Sequence, residues 1–331
     1  METVRAALVT LVIAMAGAAQ AGSFWEHNDT RRRDGLAAVG DRHLRDAKQT
    51  AAALAGSPSP TSDLVRDYLA EKARAALGAY EKALEIGPET VELHYRAYLA
   101  AVLLVESHEG ILAGYKEAYL SVVRHIDAVR RLQPLDNRED EFSYQAGIAY
   151  SKLGALGGPE ADAHFANGIR EYERFRSFDG NQLSGELLSA TYSNEAELLM
   201  AVGRLDDAIS YYRTSIEVNP MEPLGYFGLA VALDRNGEWS KSSEAMIQGA
   251  EHGRGIDRLK DPTVFFVPSG DIHYYYALFH QVRGETSLAA MEYRRFLERC
   301  KDSKYAARAR AHLAELGQAV GASDAAPALS R

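Results

Sequence analysis

The sequence contains 331 residues, of which 47% are hydrophobic, and its formal net charge is −9 at pH 7. This is the composition of a globular protein with room for one large or two smaller domains. The acidic balance disfavours general nucleic-acid binding and unaided binding to anionic lipid, because both require basic surface. We therefore expect the excess carboxylates to keep the protein soluble, and we expect no nucleic acid among its partners.

The first 21 residues have the pattern of a signal peptide. Arg5 precedes a short apolar run from Ala6 to Ala16, and Ala19-Gln20-Ala21 has the A-x-A form of a cleavage site. The run is too short to span a bilayer comfortably, although an uncleaved anchor is the alternative. We expect cleavage after Ala21, a mature chain without a transmembrane segment, and export to the periplasm or the medium of a bacterium.

Cys300 is the only cysteine, so an exported form of this chain cannot form an internal disulfide. Cohesion must then come from helix packing. We interpret Cys300 as a small apolar filler near the end of a helix, since free cysteines are commonly buried. Pairing with a second molecule is left open.

The N-terminal half is predicted to be a series of helices. Residues 22–34 lack periodicity and are predicted to be a flexible lead-in, with the helical array running over 35–317. Prolines and glycines divide the array, and Gly154 is expected to end one helix. The predicted helices are 36–54, 61–87, 92–106, 109–132, 139–153, 159–178 and 183–202.

The clearest pattern lies between Tyr192 and Gly249, where small and large apolar residues recur three and four apart. Gly203 and Gly237 interrupt the pattern where a helix would end, and they stand about 34 residues apart. Pro220 separates two units. The positions that repeat are Ala208, Tyr212, Ser215 and Pro220 in one unit and Tyr226, Leu229, Ala230, Leu233 and Gly237 in the next.

The period is interrupted at residues 253–270. Thr263–Val267 is an apolar, β-rich stretch between two prolines, and a loop of this length in a compact array is often functional. A last hairpin is predicted over 272–283 and 286–299, with Asp271 as its N-cap. A capping helix follows at 304–316, and residues 318–331 are predicted to be a disordered tail.

At these residues the chain resembles the tetratricopeptide repeat (TPR) family, whose repeats are helix hairpins of 34 residues. The matches are Tyr226-Leu229-Ala230-Leu233, Ala208-Tyr212-Ser215-Pro220, Ala146-Gly147-Tyr150 and Ala289-Tyr293-Phe296. The resemblance implies an all-α, right-handed superhelical solenoid of about six hairpins plus a C-terminal capping helix. It also implies a concave groove lined by the first helix of each repeat.

The family pattern indicates which side chains would face that groove. Ser193 and Glu197 would interrupt an otherwise apolar surface suited to a peptide or helix. The predicted groove does not match the Lys/Asn-rich groove with which some TPR domains bind a C-terminal carboxylate. The predicted partner-binding positions are an aromatic ladder of Tyr95, Tyr144, Ser193, Phe227 and Tyr274, and an aliphatic ladder of Leu99, Ile148, Glu197, Val231 and Leu278.

Two alternatives to an open groove follow from the same pattern. The ladders could be interior, packed between adjacent helices, because aromatic stripes at helical spacing are often core. They could also be covered by the apolar loop at Phe265-Phe266.

Signals for chemistry are few. His273 and His280 lie two turns apart on one helical face, a spacing that is too long for a pair of zinc ligands. The sequence has no G-x-S-x-G motif, no P-loop and no Cys/His cluster. We therefore predict no catalytic residues, no cofactor and no metal.

The function predicted from the sequence is a non-enzymatic protein-interaction scaffold of the bacterial cell envelope. An accessory subunit of an envelope enzyme, or a carrier of an apolar ligand in the groove, is the alternative. A third hypothesis is an array whose own loop fills the groove.

Overall fold

A computed structural model describes residues 28–53, 63–107, 113–134, 136–178, 183–261, 264 and 266–324, with side chains up to residue 317. The predicted signal peptide and the breaks at 56–60 and 179–181 lie outside these residues. Every regular element within the described ranges is helical, which confirms the all-α prediction. The chain forms two compact units: unit 1 lies within 1–108 and 120–136, and unit 2 within 109–119 and 137–331.

Unit 1 begins with a helix earlier than predicted. Helix α1 spans residues 28–53, so the predicted lead-in of 22–34 is wrong from Asn28 onward. Arg33 explains the extension, because the aliphatic part of its side chain packs over the turn at Gly87. The contact is close, since a Cβ added to Gly87 would lie 2.9 Å from Arg33 Cδ. The other helices are α2 (Asp63–Ile86), α3 (Val91–Glu106) and α4 (Lys116–Leu132), and a 3₁₀ turn at Ala113–Tyr115 replaces the predicted start of α4.

A small residue against an aromatic ring holds α1 and α2 together. A Cβ on Gly40 would lie 2.6 Å from Tyr80 Cε1, so only glycine admits the ring at this distance. The Tyr80 hydroxyl donates to Asp41 at 2.8 Å, and Arg96 of α3 pairs with the same carboxylate at 2.9 Å. The close approach predicted from the small–aromatic spacing is thus present in unit 1.

Unit 2 is a run of antiparallel helix pairs in which consecutive helices pack on each other. Its helices are α5 (Glu139–Ala155), α6 (Ala161–Ser177), α7 (Gly185–Ala201), α8 (Leu205–Val218), α9 (Pro223–Arg235), α10 (Trp239–Glu251), α11 (Ile272–Val282), α12 (Thr286–Arg299) and α13 (Ala306–Asp324). Two 3₁₀ segments, η1 (Gly255–Lys260) and η2 (Ser269–Asp271), lie between α10 and α11.

The predicted turn glycines have the backbone conformation that the turns require. Gly203 and Gly237 have φ of 87° and 84°, in the left-handed region that glycine reaches without strain. The amide of Arg204 donates to Leu199 O at 2.8 Å, and the amide of Glu238 donates to Leu233 O at 2.8 Å. Both are Schellman ends, so the two repeats end in the same way.

Three predictions in unit 2 are wrong. Gly154 lies inside α5 instead of ending it. Its lack of a side chain admits the ring of Phe165, because a Cβ added to Gly154 would come 2.3 Å from that ring. Asp271 forms no side-chain cap on α11 and pairs with Arg235 instead. The tail predicted from residue 318 is helical as far as Asp324, in keeping with its alanine content.

Cys300 is buried at the end of α12, as predicted for a filler. Burial raises the pKa of its thiol to about 11, so at neutral pH it is protonated and a poor nucleophile.

Candidate functional site

Three of the predicted groove residues line one cavity in unit 2. Tyr144 comes from α5, and Ser193 and Glu197 come from successive turns of α7. The cavity has a volume of about 590 Å³. That size is within the range of small-ligand pockets, and it would admit one or two side chains of a polypeptide.

The opposite wall comes from the segment that interrupts the repeats. Arg258 and Leu259 of η1, together with Val264 and Phe266, face the cavity. The ring of Phe266 packs edge-on against Tyr275 with centroids 5.1 Å apart. The predicted covering of the groove by this loop is therefore present at Phe266, whereas Phe265 lies outside the described residues.

Glu197 lines the cavity and is only 5% exposed. Its Oε2 accepts hydrogen bonds from the hydroxyls of Tyr212 and Tyr275, both at 3.0 Å. Its Oε1 accepts from the backbone N–H of Val267 at 3.0 Å, which ties the loop to α7. Burial and, next to it, the negative charge of Asp271 raise the pKa of Glu197 to about 7.

The C-terminal part of both predicted ladders is interior. Phe227, Val231, Tyr274 and Leu278 are 0% exposed, so no partner can reach them in this structure. Phe227 and Val231 belong to α9, which is buried along nearly its whole length from Pro223 to Arg235, and Tyr274 and Leu278 are on the buried face of α11. For these four positions the groove assignment is wrong, and the alternative of an interior ladder holds.

The remaining predicted groove residues keep partial exposure. Tyr95 and Leu99 of α3, in unit 1, are half-buried, and Tyr95 stacks on Tyr98 with centroids 5.8 Å apart. Ile148 of α5, in unit 2, is also half-buried. These three residues do not line the cavity.

A second polar network lies in the interior near the cavity. Both oxygens of Asp271 accept from Arg235 Nη2 at 2.7 Å, and the two side chains are 1% exposed or less. The guanidinium lies between the rings of Tyr274 and Tyr305, 4.7 and 4.1 Å from their centroids. Burial lowers the pKa of Arg235, but the charge and hydrogen bonds of Asp271 and the neighbouring tyrosines together outweigh burial and raise it, so the arginine stays charged.

Asp234 is the other buried carboxylate of this network. It accepts hydrogen bonds from Tyr274 and Arg308, and His312 Nε2 lies 3.0 Å from both of its oxygens. Burial raises its pKa, yet the bonds from His312 and Arg308 outweigh burial and lower it. Asp234 is therefore ionised, with Arg308 as its counter-ion.

A similar arrangement lies between α6 and α7. Arg176 donates from Nε and Nη2 to the carboxylate of Glu195, at 3.0 and 3.1 Å. Its guanidinium lies 4.9 and 5.0 Å from the ring centroids of Tyr192 and Tyr211. The chain therefore holds a cation between two tyrosines and a carboxylate at two separate places.

Each histidine of α11 pairs with a glutamate. His273 Nδ1 pairs with Glu292 at 2.6 Å, and His280 Nδ1 pairs with Glu285 at 2.6 Å. Across the residues that the structure describes, no group of three or more His, Cys, Asp or Glu side chains could hold an ion. Within the same ranges, no helix is both long and apolar enough to cross a bilayer.

Few sequences of known family resemble this chain. No protein-family profile matches it. A stretch of 75 residues is 33% identical to a TPR repeat-containing protein of Methanocaldococcus jannaschii, and it covers 23% of this chain and 13% of that protein. The chain thus spans only a small part of this curated relative.

Several solved structures of low sequence identity align with most of this chain. PilW, a widely conserved type IV pilus biogenesis factor, is 13% identical with a TM-score of 0.44, over 81% of this chain and 96% of PilW. PilF of Pseudomonas aeruginosa is 12% identical with a TM-score of 0.41, over 88% and 99%. The C-terminal part of a TPR repeat-containing protein from Cytophaga hutchinsonii is 13% identical with a TM-score of 0.41, over 84% and 98%.

Two helix hairpins of unit 2 have the period of tetratricopeptide repeats. Their turns at Gly203 and Gly237 recur at the 34-residue period, and both close in the same Schellman geometry. Small residues admit aromatic rings at the helix contacts, as at Gly147 against Tyr172. The resemblance predicted from the sequence is confirmed at this level.

Proposed function

We propose that this chain is a non-enzymatic scaffold that binds a segment of another protein, and that the cavity of unit 2 receives part of that segment. The observation that carries the proposal is the cavity itself, formed where Tyr144, Ser193 and Glu197 of two successive first helices meet the loop. Helical repeat arrays commonly bind polypeptides on such surfaces. Exposed Ala190 and Glu186 at its rim leave room for a chain to enter.

A carrier of an apolar ligand is the second candidate. Leu187, Leu224, Leu259 and Phe266 give the cavity apolar wall area, which favours this reading. The carboxylates of Glu186 and Glu197 also line the cavity and favour a polypeptide, because covering them with a wholly apolar ligand is unfavourable.

We propose that the protein acts in the bacterial cell envelope, in assembly or tethering within a secretion, motility or wall-associated complex. The signal-peptide pattern that ends at Ala21 supports this location. N-terminal sequencing of the protein recovered from the exported fraction is expected to begin at Gly22. A chain that retains Met1 and stays with the cytoplasmic fraction would remove the envelope from the proposal.

Site-specific photo-cross-linking tests the scaffold function. With p-benzoylphenylalanine in place of Ala190, we expect ultraviolet light to join the chain to one discrete protein, because this position is exposed at the cavity. The matched control is the same replacement at Ile247, which is exposed on α10 and does not line the cavity.

Mass spectrometry of the cross-linked peptide identifies the partner segment. That segment, made as a synthetic peptide, should bind the purified protein and suppress the cross-link at position 190. Equal yields from positions 190 and 247, or recovery of lipid without protein, would count against the scaffold.

A further inference from the structure

The charge of the cavity favours a cationic ligand. Its lining carries three carboxylates, Glu186, Glu197 and Glu222, and one guanidinium, Arg258. Arg258 is already neutralised, because its Nε lies 3.1 Å from Glu222 and its Nη1 lies 3.0 Å from Asp261. An anionic ligand would therefore find no available counter-ion among the described lining residues.

We propose that the cavity receives a lysine or arginine side chain of the partner polypeptide, with Glu197 as its counter-ion. The inference rests on the proposed function and specifies the chemistry of its ligand. Both Glu197 and Glu186 line the cavity, and Glu197 is buried while Glu186 is exposed. A cation entering past Glu186 therefore moves toward a second, more buried negative charge.

The partners of Glu197 within the described part of the chain are neutral. Tyr212, Tyr275 and the amide of Val267 donate to it, and no arginine or lysine of this part pairs with it. A carboxylate offers about four acceptor positions, so three donors leave one unused. A buried carboxylate without a cation is costly, and an incoming ammonium or guanidinium group would remove much of that cost.

The chain itself shows how such a site is completed. Arg176 is held by Glu195 between two tyrosines, and Arg235 is held by Asp271 between two tyrosines. Glu197 is likewise a buried carboxylate beside two tyrosines, but these donate to it through their hydroxyls, and none of the described residues pairs a cation with it. The ligand would supply the cation.

The walls of the cavity can accommodate the aliphatic part of a lysine or arginine side chain. Leu187, Leu224 and Leu259 provide apolar surface against which the methylene groups of lysine or arginine can pack while the charged end reaches Glu197. Exclusion of water by these walls strengthens the attraction between the two charges.

Binding should be linked to protonation of Glu197. The groups facing it are Tyr212 of α8, Tyr275 of α11 and the Arg235–Asp271 pair, whose opposite charges act on it in opposite directions. With a pKa of about 7, Glu197 is mostly protonated at pH 6 and mostly ionised at pH 8. A cation requires the ionised form, so its affinity should rise about tenfold between these pH values, and binding near pH 7 should release protons.

Blocked tripeptides provide the probes for isothermal titration calorimetry with the full-length mature chain. Acetyl-Leu-Lys-Leu-amide is compared with the norleucine analogue, which has a neutral side chain of similar length, and with n-butylammonium. We expect the lysine peptide to bind at least about tenfold more tightly than the norleucine peptide at pH 8. Titration in buffers of different ionisation enthalpy measures the released protons in the wild-type chain.

The variant E197Q should lose the preference for lysine, while E160Q, which changes an exposed glutamate of unit 2, should keep it. Proton release in the wild-type chain gives a readout that needs no variant. Equal binding of the two peptides, binding of neither, or a lysine preference that survives E197Q would each overturn the inference. The proposed scaffold function would then still be supported by a cross-link at position 190. If n-butylammonium bound as tightly as the lysine peptide, a polypeptide would no longer be the source of the cation.

Discussion

Replacing Asp271 with Ala is expected to lower the free energy of unfolding of unit 2 by about 3–5 kcal/mol, because it leaves a buried guanidinium without its counter-ion. Asp271 is the residue that binds Arg235 through both carboxylate oxygens, and both side chains are closed off from solvent. Tyr274 and Tyr305 enclose the guanidinium on two sides, so Arg235 cannot reach water without opening the packing of α9, α11 and α13.

Fluorescence of Trp239 during urea denaturation measures this loss, because Trp239 belongs to unit 2 and packs 5.3 Å from His312. The other tryptophan, Trp25, is changed to Phe in all variants. The control is Asp207→Ala, since Asp207 pairs with Arg204 at an exposed site and such pairs contribute at most about 1 kcal/mol.

The double variant Arg235→Met, Asp271→Leu separates charge from packing. It removes both charges together, so we expect it to recover most of the stability lost in D271A. A loss of less than about 1 kcal/mol in D271A would show that Arg235 finds solvent or another partner.

The buried ion pairs mark the limit of what the sequence could predict. Arg235 and Asp271 stand 36 residues apart, and neither belongs to the apolar periodicity from which the helices were predicted. Helix positions and turns, in contrast, depend on neighbours three to five residues away. For that reason Gly203 and Gly237 were predicted correctly and this network was missed.

The candidate site shows a related limit. Periodicity predicts that Tyr144, Ser193 and Phe227 share a helical position, but it does not predict what lies opposite each of them. Tyr144 and Ser193 face a cavity, whereas Phe227 is buried against Gly249 of α10. Exposure is decided by packing between distant elements, and here the loop ending at Pro268 is one of those elements.

The glycines of unit 2 show the same division between local and tertiary causes. Gly203 ends a helix because its own φ is positive, and this local role could be predicted from the pattern. Gly154 was predicted to end α5 for the same reason, but its backbone is helical and it serves to admit Phe165. The sequence around the two glycines does not distinguish these roles.

Replacing Phe227 with Ala is expected to lower the free energy of unfolding by about 3–5 kcal/mol, the range for a large buried aromatic side chain. Its ring is 0% exposed and packs against the backbone at Gly249, where a Cβ would come 2.8 Å from Phe227 Cε1. The Tyr144→Ala variant should lose only about 1–2 kcal/mol, because Tyr144 is half-buried and contacts Phe175 along one side.

Partner binding should respond in the opposite order to these two changes. Tyr144 lines the cavity and Phe227 does not, so Y144A should weaken the cross-link at position 190 in a chain that is still folded. F227L, which keeps an apolar side chain of smaller volume, should lose less stability than F227A and retain the cross-link. Urea denaturation followed by Trp239 and cross-linking yield are measured on the same preparations. If F227A were as stable as the wild-type chain while abolishing the cross-link, Phe227 would belong to the binding surface and not to the core.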